Sequence, residues 1–244
     1  MIRSAVFALL VFVILSAAKD LPLRHLEDPS PSSRLRMTPW VWEHREDLRF
    51  IGEHRTVAFY AGIITLDGDR VEVAPRRNPL LLPKNTHRIA VIRIETHRAT
   101  LEARQRRATL EAIRRLYRNA EELQIDFDAT RSERAFYRAL LFDVRDAIDA
   151  PLTITALASW CSGDRWMQGL PIDGAVSMLF RVGHARIAPG DDLAEPLCRA
   201  NVGVSLDEPH LWSGGLLARR RVWTFNPNAW TEESWKNAEL FASR

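Results

Sequence analysis

The sequence predicts an α/β fold, a compact barrel of eight parallel strands in which one of the outer helices is replaced by a hairpin and a loop. Three observations point there. From residue 40 onward, short apolar runs alternate with helical patterns, the order that parallel strands joined by helices produce. Eight such runs fit into about 205 residues, near the lower end of the size range of such barrels. Most of them are rich in Val, Ile, Leu and Phe, as strands covered on both faces are. No Gly-rich phosphate turn follows any early strand, so the doubly wound open sheet is the weaker alternative. Residues 37–244 hold no Pro/Ser-rich linker and no internal repeat, and are expected to form one domain.

The expected strands cover residues 40–43, 57–65, 89–96, 123–128, 152–160, 175–181, 201–206 and 222–226. Between the second and third, Asp67-Gly68-Asp69 leads into Val71-Glu72-Val73, a hairpin in place of a helix, and residues 75–87 read as loop. Before the fourth, Leu110, Ile113, Leu116, Tyr117 and Ala120 recur at helical spacing. Arg106, Arg107, Arg114, Arg115 and Arg118 fill the other positions and read as a solvated outer face. Before the fifth, Thr130 or Ser132 can cap a helix whose buried stripe is Phe136, Leu140, Val144 and Ile148, and Pro151 stops it. Residues 162–170, 190–199 and 210–220 each leave room for two or three turns. A last helix over 230–241 opens on Thr231-Glu232-Glu233, acids well placed against its dipole.

Composition narrows the function classes. Of 244 residues, 46% are apolar and 27% charged, which is ordinary globular material. The net charge of +3 belongs mostly to residues 1–36, which carry five Lys/Arg against three Asp/Glu, so no nucleic-acid partner is expected. That leader has a signal-peptide form: Arg3, an apolar run from Ala5 to Leu15, then Ser16-Ala17-Ala18. The run is too short for a stable membrane span. The segment ILSAAKDL followed by RHLEDPSPSSRLRMT also resembles the translation of a dispersed bacterial repeat, in which case translation begins at Met37. The two readings place the protein in the periplasm or outside the cell, or in the cytoplasm, respectively. Cys161 follows one strand and Cys198 precedes another, which puts them at opposite ends of a barrel layer and predicts two free thiols.

The chemistry is expected around LQIDFDAT, residues 123–130. Alternation turns Ile125 and Phe127 toward the helices, and Gln124, Asp126 and Asp128 toward the lumen. A carboxylate there needs a partner, a metal or water. Asp128, nearer the carboxyl end, is best placed to reach the open mouth where such barrels carry out their chemistry. By the same alternation the third strand aims Arg93, Glu95 and His97 inward. Arg93 is expected to neutralise Asp126, and Glu95 to lie near Asp128. Two carboxylates side by side push one pKa up, yielding an acid and a base from one pair. An Arg-Asp network that merely fills a polar layer is the competing reading. Glu43, Trp160, Arg181 and Asp207, at other strand ends, complete the expected rim, with Trp160 as a stacking platform for a sugar ring. Neither a cofactor nor a metal is expected, since no His-x-x-His or Cys cluster completes a ligand shell around the Asp-x-Asp pair.

LQIDFDAT, the helix RSERAFYRALLFDVRDAI, the strand LTITALASW and the later MLFRVG together resemble the uncharacterised bacterial family called domain of unknown function 3142. The resemblance spans roughly residues 40–226. It implies an exported, glycosidase-like barrel of the TIM type and carries no established activity with it. More distantly, the fourth strand is similar to that of chitinase-like glycosidases, where alternating aspartates end in a glutamate acting as general acid. Gln124, Asp126 and Asp128 fall on that motif, but Thr130 stands at the glutamate position. Glu95, Asp207 and Glu208 are then the candidate acids. The expected function is a glycoside hydrolase acting on a polysaccharide or glycan through Asp128, Glu95 and Asp126, with non-catalytic glycan binding as the alternative. The oligomeric state is left open.

Overall fold

The computed structural model describes residues 37–182, 193–208, 217 and 220–242, which belong to one compact unit. In chain order the strands are β1 (Met37–Val41), β2 (Glu46–Asp47), β3 (Thr56–Asp67), β4 (Arg70–Pro75), β5 (Leu80–Leu81), β6 (His87–His97), β7 (Glu122–Asp126), β8 (Leu152–Leu157), β9 (Gly174–Met178), β10 (Asn201–Ser205) and β11 (Arg221–Phe225). Parallel pairing runs β3-β6-β7-β8-β9-β10-β11-β1, and β1 returns to β3 through Trp40 opposite Ala58. The ring therefore closes on eight parallel strands, the barrel expected from the alternation. All eight expected runs contribute a strand.

The second crossover is the expected hairpin: β4 pairs antiparallel with β3 around Gly68, whose φ of 59° suits a residue without a Cβ. Long helices are few. The helix α1 (Ala103–Leu116) covers the step from β6 to β7, α2 (Arg134–Ala147) that from β7 to β8, and α4 (Glu232–Ala242) follows β11. Between β8 and β9 stand only the short α3 (Ala158–Ser162) and one 3-10 turn. Gln105 on α1 reaches the hairpin, donating to the Gly68 and Arg70 carbonyls at 3.3 and 3.0 Å. Neither Thr130 nor Ser132 caps α2 directly, since a turn over 131–133 intervenes and the helix begins at Arg134.

Strand alternation builds a core on each face of the ring. Outside the ring, Ile92, Ile94, Leu123, Ile125, Phe127 and Ile154 pack under Ile113, Tyr137, Leu140 and Val144 of the helices. Inside it, Trp40, Ala58, Ile89, Val91, Val176 and Trp223 fill the lower lumen. Gly203 makes room for this plug, because a Cβ there would sit 2.7 Å from the Trp40 ring. The ring is pinned: Trp40 Nε1 donates to Gln124 Oε1 at 2.8 Å, and Gln124 Nε2 donates to Thr153 Oγ1 at 3.3 Å.

The cysteines differ from expectation. Cys161 and Cys198 form a disulfide, with Cα atoms 5.8 Å apart. Neither lies at a strand end. Cys161 is in α3 and Cys198 in a 3-10 turn, and these two connections meet on the outside of the wall, where Glu195 N also donates to the Cys161 carbonyl at 3.1 Å. Closing a 37-residue separation stabilises the fold by roughly 3–4 kcal/mol in the chain-entropy account. Among the described residues no helix is long and apolar enough to cross a membrane. The leader, residues 190–192 of the 190–199 connection and most of the 210–220 connection, with Trp212 and Gly214-Gly215, lie outside the described residues.

Candidate functional site at the barrel mouth

A cavity of about 700 Å³ opens at the carboxyl ends of the strands. One wall is ionic and built by adjacent strands. Arg93 on β6 faces Asp126 on β7 in register, as alternation required. Its Nη1 donates to Asp126 Oδ2 at 2.8 Å and its Nε to Glu95 Oε1 at 2.9 Å, while Nη2 stands 3.6 Å from Asp128 Oδ2. One guanidinium thus serves three carboxylates. Asp126 is closed in, its side chain 6% exposed, and its other oxygen accepts from Thr155 Oγ1 at 2.7 Å. Asp128 and Glu95 are open, at 41% and 39%.

The electrostatics differ along this wall. Burial raises the Asp128 carboxyl above its ordinary range, Asp126 and Glu95 add repulsion, and Arg93 only partly offsets them. Burial opposes the charge on Arg93, yet Asp126 and Glu95 outweigh it and hold the guanidinium protonated more firmly than usual. Among the described residues no group of three or more His, Cys, Asp or Glu side chains is arranged to hold a metal ion. The space between the three carboxylates is taken by the protein's own cation.

The facing wall is aromatic. Trp42 beyond β1 lies 5.0 Å from Tyr60 on β3 and 6.3 Å from Phe225 on β11, and Phe225 stacks on Phe180 beyond β9 at 5.6 Å with ring planes 4° apart. Phe225 stands half a ring away from Asp126, since β11 is four steps from β7 in the ring of eight. A bulge between Tyr60 and Gly62 resets the alternation of β3, so that Tyr60 and Ile63, three residues apart, both line the cavity. Burial raises the Tyr60 hydroxyl pKa, assisted by Glu43 and Glu95, and keeps it a hydrogen-bond donor at neutral pH.

The structure thus brings together Asp126, Asp128, Glu95, Arg93 and Arg181, all five lining the cavity. The remaining expected residues lie elsewhere. Trp160 is not a platform: the chain turns helical after Leu157, and its ring is buried against Trp166 at 4.8 Å, with the Arg134 guanidinium 5.9 Å away. Glu43 accepts from the Asn78 backbone and side-chain nitrogens at 2.9 and 3.0 Å, tying down a turn outside the lining. Asp207 accepts from Ser205 Oγ and does not line the cavity. Glu208 accepts from the Arg181 backbone N–H. Glu133, not singled out in the sequence, accepts from Thr130 N and Oγ1 at 2.6 Å each and from Thr96 Oγ1, bonds that outweigh burial and lower its pKa. It fastens the loop after β7 to the end of β6.

The sequence reading also missed Thr155 and the aromatic wall. A signal existed: Trp40 and Trp42, Met178 and Phe180, Trp223 and Phe225 are each two residues apart, the spacing that puts an aromatic at the mouth on the same face as a large apolar side chain one layer below. Searches of family models, curated proteins and solved structures find no match to this chain.

Proposed function

We propose that the mouth binds a glycan and that the protein is a glycoside hydrolase, with Asp128 as proton donor, Glu95 as its carboxylate partner and Asp126 as the group that positions Arg93. The supporting observation is the pairing of an open carboxyl of raised pKa with a facing aromatic wall across one cavity. Aromatic faces cover the apolar faces of sugar rings, and a carboxyl retaining its proton can deliver it to a leaving oxygen. Asp126, enclosed by Arg93 and Thr155, holds the guanidinium in place. The resemblance to the domain of unknown function 3142 and to chitinase-like strands agrees with this reading.

Screening polysaccharides for released reducing ends, followed by Asp128→Asn on the substrate found, tests it. Loss of a general acid lowers kcat by roughly a hundredfold or more. Unchanged turnover removes Asp128 from the chemistry.

A second reading is a barrel that binds glycan without cleaving it. Thr130 at the position of the glutamate, with neighbouring Glu133 committed to Thr130 and Thr96, favours it. Calorimetry showing binding without product, in wild type and in Asp128→Asn alike, decides for this reading.

A further inference from the structure

Arg181 sits on the rim of the same cavity, two strands round the ring from the acids, and its setting is unlike that of Arg93. Its backbone adopts φ 55°, a left-handed conformation uncommon for a residue with a side chain of this size. Both Glu208 oxygens lie 3.1 Å from its backbone nitrogen, fixing that conformation without engaging the guanidinium. The guanidinium rests over the Phe225 ring, 5.5 Å from its centroid, and that ring is itself stacked on Phe180. Among the described residues it forms an ion pair with no carboxylate, whereas Arg93 touches three. A cation seated on an aromatic face, held by its backbone and left with its planar fork unused, is equipped to take an oxyanion in two parallel hydrogen bonds.

We propose that Arg181 recognises a negatively charged substituent, a carboxylate or a sulfate, on the sugar next to the one facing Asp128, and that the ligand is therefore an acidic glycan. This deepens the glycan reading of the mouth and rests on it. Two strand spacings separate β7 from β9, about 10 Å. At that distance repulsion from the acids, already offset by Arg93 among them, is weaker than direct contact with Arg181. Phe225, with Phe180 stacked on it, braces the guanidinium from beneath and holds its fork at the rim.

A glycan array with matched neutral, carboxylated and sulfated oligosaccharides, probed with the full-length wild type, Arg181→Met, Arg181→Lys and Asp128→Asn, tests the proposal. The wild type is expected to bind acidic members at least tenfold more tightly than their neutral counterparts, the stronger of the two acidic sets naming the substituent. Arg181→Met is expected to lose that preference at unchanged Tm, Arg181→Lys to keep part of it, and Asp128→Asn to keep all of it. Equal binding of neutral and acidic members, or a preference that survives Arg181→Met, overturns the proposal and leaves the glycan reading standing. Binding to no member overturns both.

Discussion

Gln124 and Asp126 are two residues apart on one strand, face the same lumen and are both buried, yet they belong to different machines. Around Gln124 the lumen is a neutral plug: its amide bridges the Trp40 indole and Thr153, and Trp223 Nε1 donates to Asn201 at 3.1 Å. Around Asp126, one layer higher, three carboxylates share a single guanidinium, and the cavity opens. The difference teaches that one alternation pattern builds both layers, and that only the polarity of each inward position separates packing from chemistry. Damage to the lower layer should appear as lost stability. Damage to the upper layer should appear as lost function and altered pH dependence.

The largest expected effect lies in the plug. Trp40→Ala removes a buried indole, leaves the Gln124 carbonyl oxygen without that donor, and is expected to cost about 4 kcal/mol in denaturant unfolding. Gly203→Ala attacks the same contact from the other side. Because the Trp40 ring lies 5.5 Å from Trp223 and is held by Gln124, it cannot yield freely to a Cβ, and a loss of about 2 kcal/mol is expected. A change below about 0.5 kcal/mol for both, against a typical single-mutant loss near 1, would show that the lower lumen is not a packed core.

Asp126→Ala lies between the two layers. It leaves Thr155 without its acceptor and removes the most buried counter-charge of Arg93, while Glu95 and Asp128 remain. The expected stability loss is about 1–3 kcal/mol, and the proposed function adds loss of glycan turnover as the guanidinium loses its fixed orientation. A stability loss with turnover intact would assign Asp126 to the plug rather than to the site.

The split between layers also explains what could be read from the sequence. The barrel was legible because eight apolar runs of strand length, separated by helix and hairpin signals, admit few closed arrangements. The ionic wall was legible because period-two alternation assigns Arg93, Glu95, Asp126 and Asp128 to one face without knowledge of neighbours. Trp160 was misplaced because its placement depended on where β8 ends, and Leu152–Leu157 gives way to a helix with no Gly or Pro to mark the change. The disulfide was invisible because it joins two connections whose paths over the outer wall leave no periodic trace. Phe180 and Phe225 were there to be found by the same spacing that found the acids. Ile63 was not, since the bulge between Tyr60 and Gly62 is a backbone event that shifts the face of every later residue of β3.

The smallest effect on stability, and the sharpest on function, belongs to Asp128→Asn. The folded-state pKa of Asp128 is raised, so folding favours its neutral form relative to the unfolded chain, and its contribution to stability is fully present below the unfolded value of about 3.9. That contribution is lost as pH rises through the higher folded value. Asparagine keeps the neutral shape at every pH. Thermal unfolding of variant and wild type should therefore coincide in acid and separate in favour of the variant as pH rises through the wild-type folded value, levelling off above it. The plug variants should show a deficit that does not change across the same window, since no titrating group was removed. If Asp128→Asn is less stable than wild type at neutral pH and equal to it in acid, the Asp128 carboxylate is stabilised by Arg93 rather than penalised by burial. The upper layer would then be a structural ion-pair network like any other polar layer, with no proton held ready for a leaving group.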